Sequence, residues 1–344
     1  MNCLVPGFFI TLPPDTPEGQ QRRREQGRFL AIGRTGEPEE IGPLTVFLAS
    51  AASDHMTGQA VVTDGGGLAA GPGTAVAGAT GAFALTWEER MEGYTLVGKT
   101  ALVTGVEHPA ARAAAAALAE AGADVAVLAG RADAQAQAEA AAAAVAQHQR
   151  LSRAYAVEVA SLSAVQTVVQ ELIAAWGHLD ILVNGLDLPF ARPFLETTDS
   201  DWERVMSHVL YGTLHCIRAV APHMLARRHG RIITYLSVLA ERGMAHCAAY
   251  SAVQAALLQL TRTLAVEWGR HGITVNALGY GWCEGSPFLP AEPAERDRLL
   301  RYIPDHRLGQ PDDLAALTVY LASDLGGNLT GQVTYVEGGL LSHP

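Results

Sequence analysis

Short apolar segments alternate with longer segments of helical character between residues 95 and 344. The first unit consists of KTALVTG, then the alanine-rich ARAAAAALAEAGA, then the apolar ADVAVLAGR. An apolar run without polar alternation is typical of a parallel strand buried on both faces, and parallel strands are joined by helical crossovers. This alternation predicts an α/β fold built on a doubly wound sheet.

The same alternation continues to the C-terminus. Helices are predicted at 163–176, 202–226 and 249–269. Further strands are predicted in the segments RAYAVEV, LDILVN, RIITYLS and ITVNALG, and one more strand closes the chain. The resulting prediction is a sheet of seven parallel strands flanked by helices.

The end of this unit has a second, partial copy at the start of the chain. Residues 47–67 align with residues 320–340, and eight of the 21 positions are identical. Because only this end piece is duplicated, a solenoid of repeats is excluded. We therefore predict a strand–helix–strand fragment at 1–70, a flexible Gly/Ala-rich linker at 71–94 and a complete domain at 95–344.

Two explanations of the fragment at 1–70 remain open. It is either the remainder of a tandem protein whose first domain lies upstream, or a short segment that docks on a partner subunit. An in-frame strand–glycine-loop–helix segment upstream of the start codon would support the first explanation.

Composition restricts partners and location. The formal net charge of −11 argues against nucleic acid or an anionic membrane as partner, and no apolar run is long enough to span a bilayer. No signal peptide opens the chain, so a cytoplasmic protein is expected. The four cysteines lack CxxC spacing and are expected to be small buried hydrophobic residues. The histidines show no ligand spacing, and no metal site is predicted.

The candidate catalytic residues are a serine and a tyrosine. Ser237 is followed thirteen residues later by Tyr250, where a helix rich in small residues begins. This layout resembles the active-site segment of the classical short-chain dehydrogenase/reductase family, and the chain as a whole resembles its 3-oxoacyl-carrier-protein reductase-like and sugar dehydrogenase-like members. The resemblance implies a Rossmann-like fold, a nicotinamide cofactor, and a serine and a tyrosine that meet the substrate carbonyl.

The position four residues after the tyrosine departs from the family. The family has Lys there, and this chain has Gln254. Residues i and i+4 share a helix face, so a lysine ammonium lowers the tyrosine pKa, whereas a neutral amide does not. We therefore expect Tyr250 to stay protonated. The helix asparagine of the family is also replaced, by Val209, which removes a polar group from the proton relay.

The first turn of the cofactor site departs as well. The family pattern TGxxxGxG is met here by Thr104 and Gly105, but its later glycines are Pro109 and Ala111. Glycines let the backbone approach the pyrophosphate, and helix N-terminal amides hold its charge. Glu107 adds a negative charge where phosphates would lie. Proline at a first helical position is also an ordinary helix start.

Other cofactor positions are partly retained. Arg131 corresponds to the basic residue that NADP-preferring members use for the 2′-phosphate, and a solvated residue at a helix start is an equally good interpretation. Glu158 replaces the aspartate that contacts adenine, and Asn184 opens a reduced NNAG motif that ends in Asp187. Any cofactor is therefore expected to be NADP or NAD, bound weakly if at all.

These departures fall at cofactor and proton-transfer positions, whereas the segments that build strands and helices remain regular. This favours a non-catalytic or weakly active subunit, or half, of an oxidoreductase assembly, in other words a pseudoenzyme. One alternative is a working NAD(P)(H)-dependent carbonyl reductase or alcohol dehydrogenase that uses Ser237 and Tyr250. Another is a small-molecule sensor that binds without hydride transfer.

Association is expected from the same resemblance. Family members pair through helices that correspond to residues 201–226 and 249–269, and through a last helix and strand that correspond to 312–340. The partner would be a further copy of this chain or an active paralogue.

Overall fold

The computed structural model describes residues 1–7, 9, 16–70 and 94–342 of the chain. In chain order the strands are β1 (Cys3–Pro6), β2 (Ala60–Thr63), β3 (Thr100–Thr104), β4 (Asp124–Ala129), β5 (Ser152–Ala156), β6 (Ile181–Asn184), β7 (Gly230–Ser237), β8 (Ile273–Tyr280) and β9 (Val333–Val336). The last seven form one parallel sheet in the order β5-β4-β3-β6-β7-β8-β9. The predicted doubly wound α/β fold with seven parallel strands is confirmed.

Helices flank this sheet and also build the N-terminal part of the chain. In chain order they are α1 (Pro17–Gly27), α2 (Ile41–Ala49), α3 (Gly67–Ala70), α4 (Pro109–Glu120), α5 (Gln135–Ala146), α6 (Leu162–Trp176), α7 (Asp199–Val205), α8 (Gly212–Arg227), α9 (Ala248–Trp268), α10 (Pro293–Tyr302) and α11 (Ala315–Ala322).

Apolar side chains cover both faces of the sheet. Along β3, Ala101 and Val103 belong to the cluster on one face, and Leu102 belongs to the cluster on the other. Every residue of β3 and β7 is buried. Burial on both sides explains why these strands appear in the sequence as continuous apolar runs.

The predicted helix at 202–226 lies within an unbroken helical run from 199 to 227. α7 ends at Val205, a π turn spans Met206–Tyr211, and α8 follows directly. The π turn was not predicted, because apolar spacing does not distinguish a widened turn from a regular one. Such turns are often found at functional sites. This one carries Val209, which is fully buried.

Residues 1–70, called the head segment below, have a sheet of their own. β1 and β2 pair in parallel, with Cys3 opposite Ala60. The segment contains β1, α1, α2, β2 and α3 in that order. α1 begins at an N-cap, Thr16, whose side chain accepts a hydrogen bond from the Gly19 amide. Its residues are nearly all polar, so hydrophobic periodicity gives no sign of it.

The head segment packs against the C-terminal part of the main unit. The ring of Phe47 in α2 stacks on Tyr320 in α11, with the ring centroids 6.2 Å apart. The face at 312–340, which the resemblance assigns to association, is therefore in contact with the same chain's N-terminus. Of the predicted linker at 71–94, all but Tyr94 lies outside the described residues.

The cysteines differ in their surroundings. Cys216 and Cys247 are buried, as expected, and Cys283 is partly buried. Cys3 is exposed, so the expectation of burial is wrong there, because β1 lies in the two-stranded sheet and presents this side chain to solvent. In the described part of the chain, no helix combines the length and apolar character needed to cross a membrane.

Candidate functional site

The predicted catalytic residues converge at the carboxyl ends of the central strands. Ser237 is the last residue of β7, and Tyr250 and Gln254 lie one turn apart near the start of α9. Gln254 is buried, and its Oε1 accepts a hydrogen bond from the Ser237 amide at 3.0 Å. The amide side chain thus ties α9 to the end of β7 and brings no positive charge to Tyr250.

The Tyr250 hydroxyl has a carboxylate as its partner. It donates to Asp187 Oδ1 at 2.9 Å, and the Tyr280 hydroxyl donates to Oδ2 of the same carboxylate at 3.1 Å. Tyr250 is 1% exposed and Tyr280 8%. Ser237 Oγ accepts a hydrogen bond from the Leu239 amide at 3.2 Å, and the Ser237 hydroxyl acts to lower the pKa of Tyr250 against the larger raising effects. The site therefore contains two phenols that share one carboxylate.

Both phenols are held in their protonated form. Burial raises the pKa of Tyr250 well above its ordinary value, and the Asp187 charge raises it further. The pKa of Tyr280 is raised for the same two reasons, in the same order. In this environment a tyrosinate is disfavoured, so Tyr250 carries its proton at neutral pH, cannot act as a base in that form, and is weakened as a proton donor by its raised pKa.

His108 closes one side of this cluster. Its ring lies 5.2 Å from the Tyr280 ring, and its Nδ1 accepts a hydrogen bond from the Ala110 amide as the N-cap of α4. Burial lowers the pKa of His108, and Arg112 adds to this, whereas Asp187 opposes it. A neutral imidazole with Nδ1 as acceptor is consistent with the capping role.

The turn after β3 is filled by its own side chains. Glu107 Oε1 accepts a hydrogen bond from the Gly130 amide at 2.8 Å, while Oε2 is buried without a hydrogen-bond partner among the described residues. Arg112 donates through Nη1 to the carbonyls of Val106 and Glu107, each at 2.8 Å. A carboxylate thus occupies the position that faces the end of β4.

Two further side chains fill the space beside β4. A Cβ atom placed on Gly130 would lie 2.7 Å from Leu186 Cδ2 and 3.0 Å from His208 Cε1. Leu186 is buried and also lies against Gly212 at the start of α8. The region between the ends of β4 and β6 is therefore packed with protein side chains.

Comparison with known proteins identifies the family. The family model described as enoyl-(acyl carrier protein) reductase matches residues 1–67 and 105–341. The chain belongs to the short-chain dehydrogenase/reductase family.

Relatives in this family are named as dehydrogenases and reductases. The chain is 37% identical over 182 residues to (2S)-[(R)-hydroxy(phenyl)methyl]succinyl-CoA dehydrogenase subunit BbsD of Thauera aromatica, covering 53% of this chain and 73% of that protein. It is 33% identical over 189 residues to the 3-oxoacyl-[acyl-carrier-protein] reductase FabG of Staphylococcus epidermidis, covering 55% of this chain and 78% of that protein.

Solved structures of short-chain dehydrogenases have the same fold. A gluconate 5-dehydrogenase from Burkholderia cenocepacia in complex with NADP and tartrate superposes with a TM-score of 0.69 at 31% identity, covering 74% of this chain and 100% of that one. An NAD⁺-bound xylitol dehydrogenase gives a TM-score of 0.66 at 26% identity, covering 71% and 99%.

The predicted cofactor residues divide into two groups in this short-chain dehydrogenase/reductase. Thr104 and Asn184 are buried at the paired ends of β3 and β6, where Thr104 Oγ1 donates to Asn184 Oδ1 at 3.4 Å. Gly105 has a φ of 72° and lies against the backbone of Gly185.

The second group lies at the surface. Arg131 is half-exposed and forms an ion pair of 3.4 Å with Asp133. Glu158 is exposed, and its carboxylate accepts a hydrogen bond from the nearby Ala160 amide at 3.4 Å. The ion pair of Arg131 is therefore a contact at the surface between residues two apart in sequence.

The sequence indicates Glu107 as an added charge and Asp187 as the end of a reduced motif, but it does not indicate what either carboxylate contacts. Asp187 is 63 residues from Tyr250 in sequence, and no local pattern joins them. Tyr280, which replaces the proline of the family's PGxxxT motif, was the available signal for a second hydroxyl group. Val209 contributes to an apolar cluster with Val253. The described residues include no group of three or more side chains able to hold a metal ion.

Proposed function

We propose that this member of the family is a subunit that performs hydride transfer weakly or not at all. The observation that carries the proposal is the hydrogen bond from the Tyr250 hydroxyl to the Asp187 carboxylate. In catalysis of alcohol oxidation the tyrosine must accept a proton, and the neighbouring carboxylate together with burial opposes tyrosinate formation. Gln254 supplies no positive charge to offset either effect.

The side chains beside β4 support weak cofactor binding. The gluconate 5-dehydrogenase relative is described with NADP bound. In this chain a dinucleotide does not fit the arrangement found, because Glu107 places an unpartnered carboxylate oxygen where a pyrophosphate would bring further negative charge. Leu186 and His208 fill the space against Gly130.

A carbonyl reductase is the second candidate. Reduction requires a proton donor, and Tyr250 is protonated and adjacent to Ser237. BbsD, FabG and the gluconate 5-dehydrogenase are named for oxidoreductase activities, so a substrate with a carbonyl or secondary alcohol group would be expected. This candidate requires the side chains over Gly130 to move aside.

We further propose that the protein acts within a homo-oligomer or beside an active paralogue. α8 and α9, which correspond to the association helices of the family, are both complete. No nucleic acid or membrane partner is proposed, given the net charge of −11.

The proposal is tested by titrating the purified protein with NADH and NADPH and measuring its thermal unfolding. A ligand at one hundred times its Kd stabilises the native state by about 2.7 kcal/mol, which gives a clear shift in Tm. We expect no shift for either cofactor. The variant Glu107→Gly/Leu186→Ala should show a rise in Tm with the cofactor, because it removes the buried carboxylate and opens the space at Gly130. A clear shift with the unmodified chain would favour the reductase.

The catalytic defect is tested separately in that opened variant. In the opened variant, Gln254→Lys, Val209→Asn and Asp187→Gly together should produce carbonyl reduction, measured as loss of NADPH absorbance. The same variant with Asp187 retained should not reduce the carbonyl. Val209→Asn alone serves as the matched control, since it adds an amide without adding a charge. Equal activity with and without Asp187 would contradict the assigned effect of the carboxylate.

A further inference from the structure

The head segment and the C-terminal element, defined as residues 275–342, share a pattern of internal hydrogen bonds. Asn2 donates to the Met56 carbonyl and accepts from the Gln59 amide. Asn276 donates to the Leu329 carbonyl and accepts from the Gln332 amide in the same way.

Ion pairs repeat in the same manner. Arg34 pairs with Glu40 at 2.6 Å, and Arg307 pairs with Asp313 at 2.8 Å. The two segments are therefore similar in three-dimensional structure as well as in sequence.

The contacts between the two segments are reciprocal. The Gly338 amide donates to the His55 carbonyl at 2.9 Å, and the Gly65 amide donates to the Asn328 carbonyl at 3.1 Å. In the alignment of the two segments, Gly65 is the counterpart of Gly338, and His55 is the counterpart of Asn328. Each bond is thus the exchanged copy of the other.

Side chains repeat this exchange. Gln59 Nε2 donates to Glu337 Oε1 at 2.6 Å, and its counterpart Gln332 donates through Nε2 to Asp64 Oδ1 at 3.3 Å. Asp64 is the counterpart of Glu337. Both acidic residues precede the paired glycines that follow β2 and β9.

The centre of the contact joins two equivalent rings. Phe47 and Tyr320 are counterparts, and they stack on each other with an interplanar angle of 21°. Glycines allow close approach at the periphery. A Cβ on Gly58 would lie 2.6 Å from Ser342 Cβ, and a Cβ on its counterpart Gly331 would lie 2.5 Å from Ala69 Cβ.

An exchange of equivalent partners is the property of an isologous, twofold interface. In such an interface one surface patch binds another copy of itself. Because the head segment is a copy of the C-terminal element, the face of residues 303–342 is complementary to a segment of its own kind.

We propose that the head segment takes the place of a partner subunit: within one chain it occupies the C-terminal face, residues 303–342, through which members of the family pair with the same face of a second chain. The head segment then prevents two chains from pairing there. Any further association must use other surfaces, such as those of α8 and α9. This inference concerns assembly and does not depend on cofactor binding or catalysis.

Contacts that are not duplicated by the exchange favour the head segment over a second chain. His55 Nδ1 lies 2.8 Å from Asp305 Oδ2, and a second copy would present Asn328 in place of the histidine. Arg270 donates to the Arg28 carbonyl at 3.0 Å. The covalent connection also gives the head segment a high effective concentration, so its docking exceeds intermolecular pairing at equal contact strength.

The test is sedimentation velocity on the full chain carrying Phe47→Glu/Gln59→Glu. Both substitutions lie in the head segment and leave residues 303–342 unchanged. Phe47→Glu removes the central ring, and Gln59→Glu sets a carboxylate against Glu337. We expect the head segment to be released, seen as faster tryptic cleavage at Arg22–Arg24, and the particle mass to double relative to the unmodified chain.

The matched control is Val46→Glu/Gln20→Glu, which adds the same charges at exposed positions of the same segment. It should keep the original mass and cleavage rate. Circular dichroism melting establishes that each variant is folded, and Gln59→Glu alone is the milder variant if the double change unfolds the head segment.

Addition of Gln332→Glu to the Phe47→Glu/Gln59→Glu variant tests whether the doubled particle is held together by its two C-terminal faces. In a pair of C-terminal faces Gln332 would meet Glu337 of the partner chain, so the added carboxylate should return the particle to its original mass. An unchanged mass after release, or a doubled mass that persists with Gln332→Glu, would overturn the proposal.

Discussion

The amide at position 254 changes what Tyr250 can do. Gln254 bonds to the backbone of Ser237, and Tyr250 bonds to Asp187, so the two groups that a proton relay would join each have another partner. Asp187 adds negative charge beside a phenol that burial already keeps protonated. At this scale the proposed loss of activity depends on one hydrogen-bonded carboxylate.

We predict that Asp187→Asn lowers the pKa of Tyr250. The asparagine keeps a hydrogen-bond acceptor and removes the charge, so tyrosinate becomes less unfavourable. Ultraviolet titration near 295 nm measures this, and subtraction of the same titration for the matching Tyr250→Phe variant isolates one of the nine tyrosines. A difference curve that is the same with Asp187→Asn as with the aspartate retained would contradict the assigned charge effect.

The raised pKa of Tyr250 also predicts how the unfolding free energy depends on pH. A phenol whose pKa is higher in the folded than in the unfolded state contributes stability that is present below the unfolded value, 10.0, and is lost as pH rises through the folded value. The unmodified chain should therefore lose unfolding free energy above pH 10 more steeply than Tyr250→Phe does.

Among the elements, the turn that follows β3 tolerates little change. Gly105 adopts φ of 72°, and a Cβ there would lie 2.3 Å from the Gly185 carbonyl carbon. A left-handed conformation and a backbone contact thus coincide at the point where β3 meets β6. This requirement is structural and explains why Gly105 is present although other glycines of the family's turn are replaced.

We predict that Gly105→Ala lowers the unfolding free energy by roughly 3 kcal/mol or more, from backbone strain and steric overlap combined. Gly98→Ala is the control, because Gly98 has a φ of 77° but a Cβ added there would meet no atom within 4 Å. It should cost about 1–2 kcal/mol from strain alone. Urea denaturation measures both, and equal losses would contradict the steric effect.

On the scale of the whole molecule, the head segment and the main unit share an apolar core. Leu44, Phe47 and Val61 belong to the same cluster as the side chains of α4 and α11. Shared burial predicts that the head segment contributes to the stability of the complete chain.

We predict that Phe47→Ala destabilises the chain by about 3–5 kcal/mol, the usual range for a buried phenylalanine. All five tryptophans lie beyond residue 70, so tryptophan fluorescence during urea unfolding reports on the rest of the chain. The urea midpoint of this transition should shift with Phe47→Ala. For Val46→Ala, which changes an exposed neighbour, the unfolding free energy should change by no more than about 0.5 kcal/mol. An unshifted midpoint for Phe47→Ala would indicate independent unfolding.

Much of the fold follows from local sequence. Continuous apolar strands and intervening helices specify the seven-stranded parallel sheet, because doubly covered strands and helical crossovers leave direct patterns in the chain. The duplicated end piece is equally visible as sequence identity. The placement of Ser237, Tyr250 and Gln254 together also follows, since strand ends of a parallel sheet meet at one edge and a helical turn joins residues four apart.

Other features depended on contacts between distant residues. The bonds of Asp187 to Tyr250 and Tyr280, the packing of Leu186 against Gly130, and the reciprocal docking of the head segment join positions with no local pattern between them. The π turn at Met206–Tyr211 likewise leaves the apolar spacing nearly unchanged. Periodicity describes which face of an element is buried, whereas the partner of that face is fixed only when the chain is packed in three dimensions.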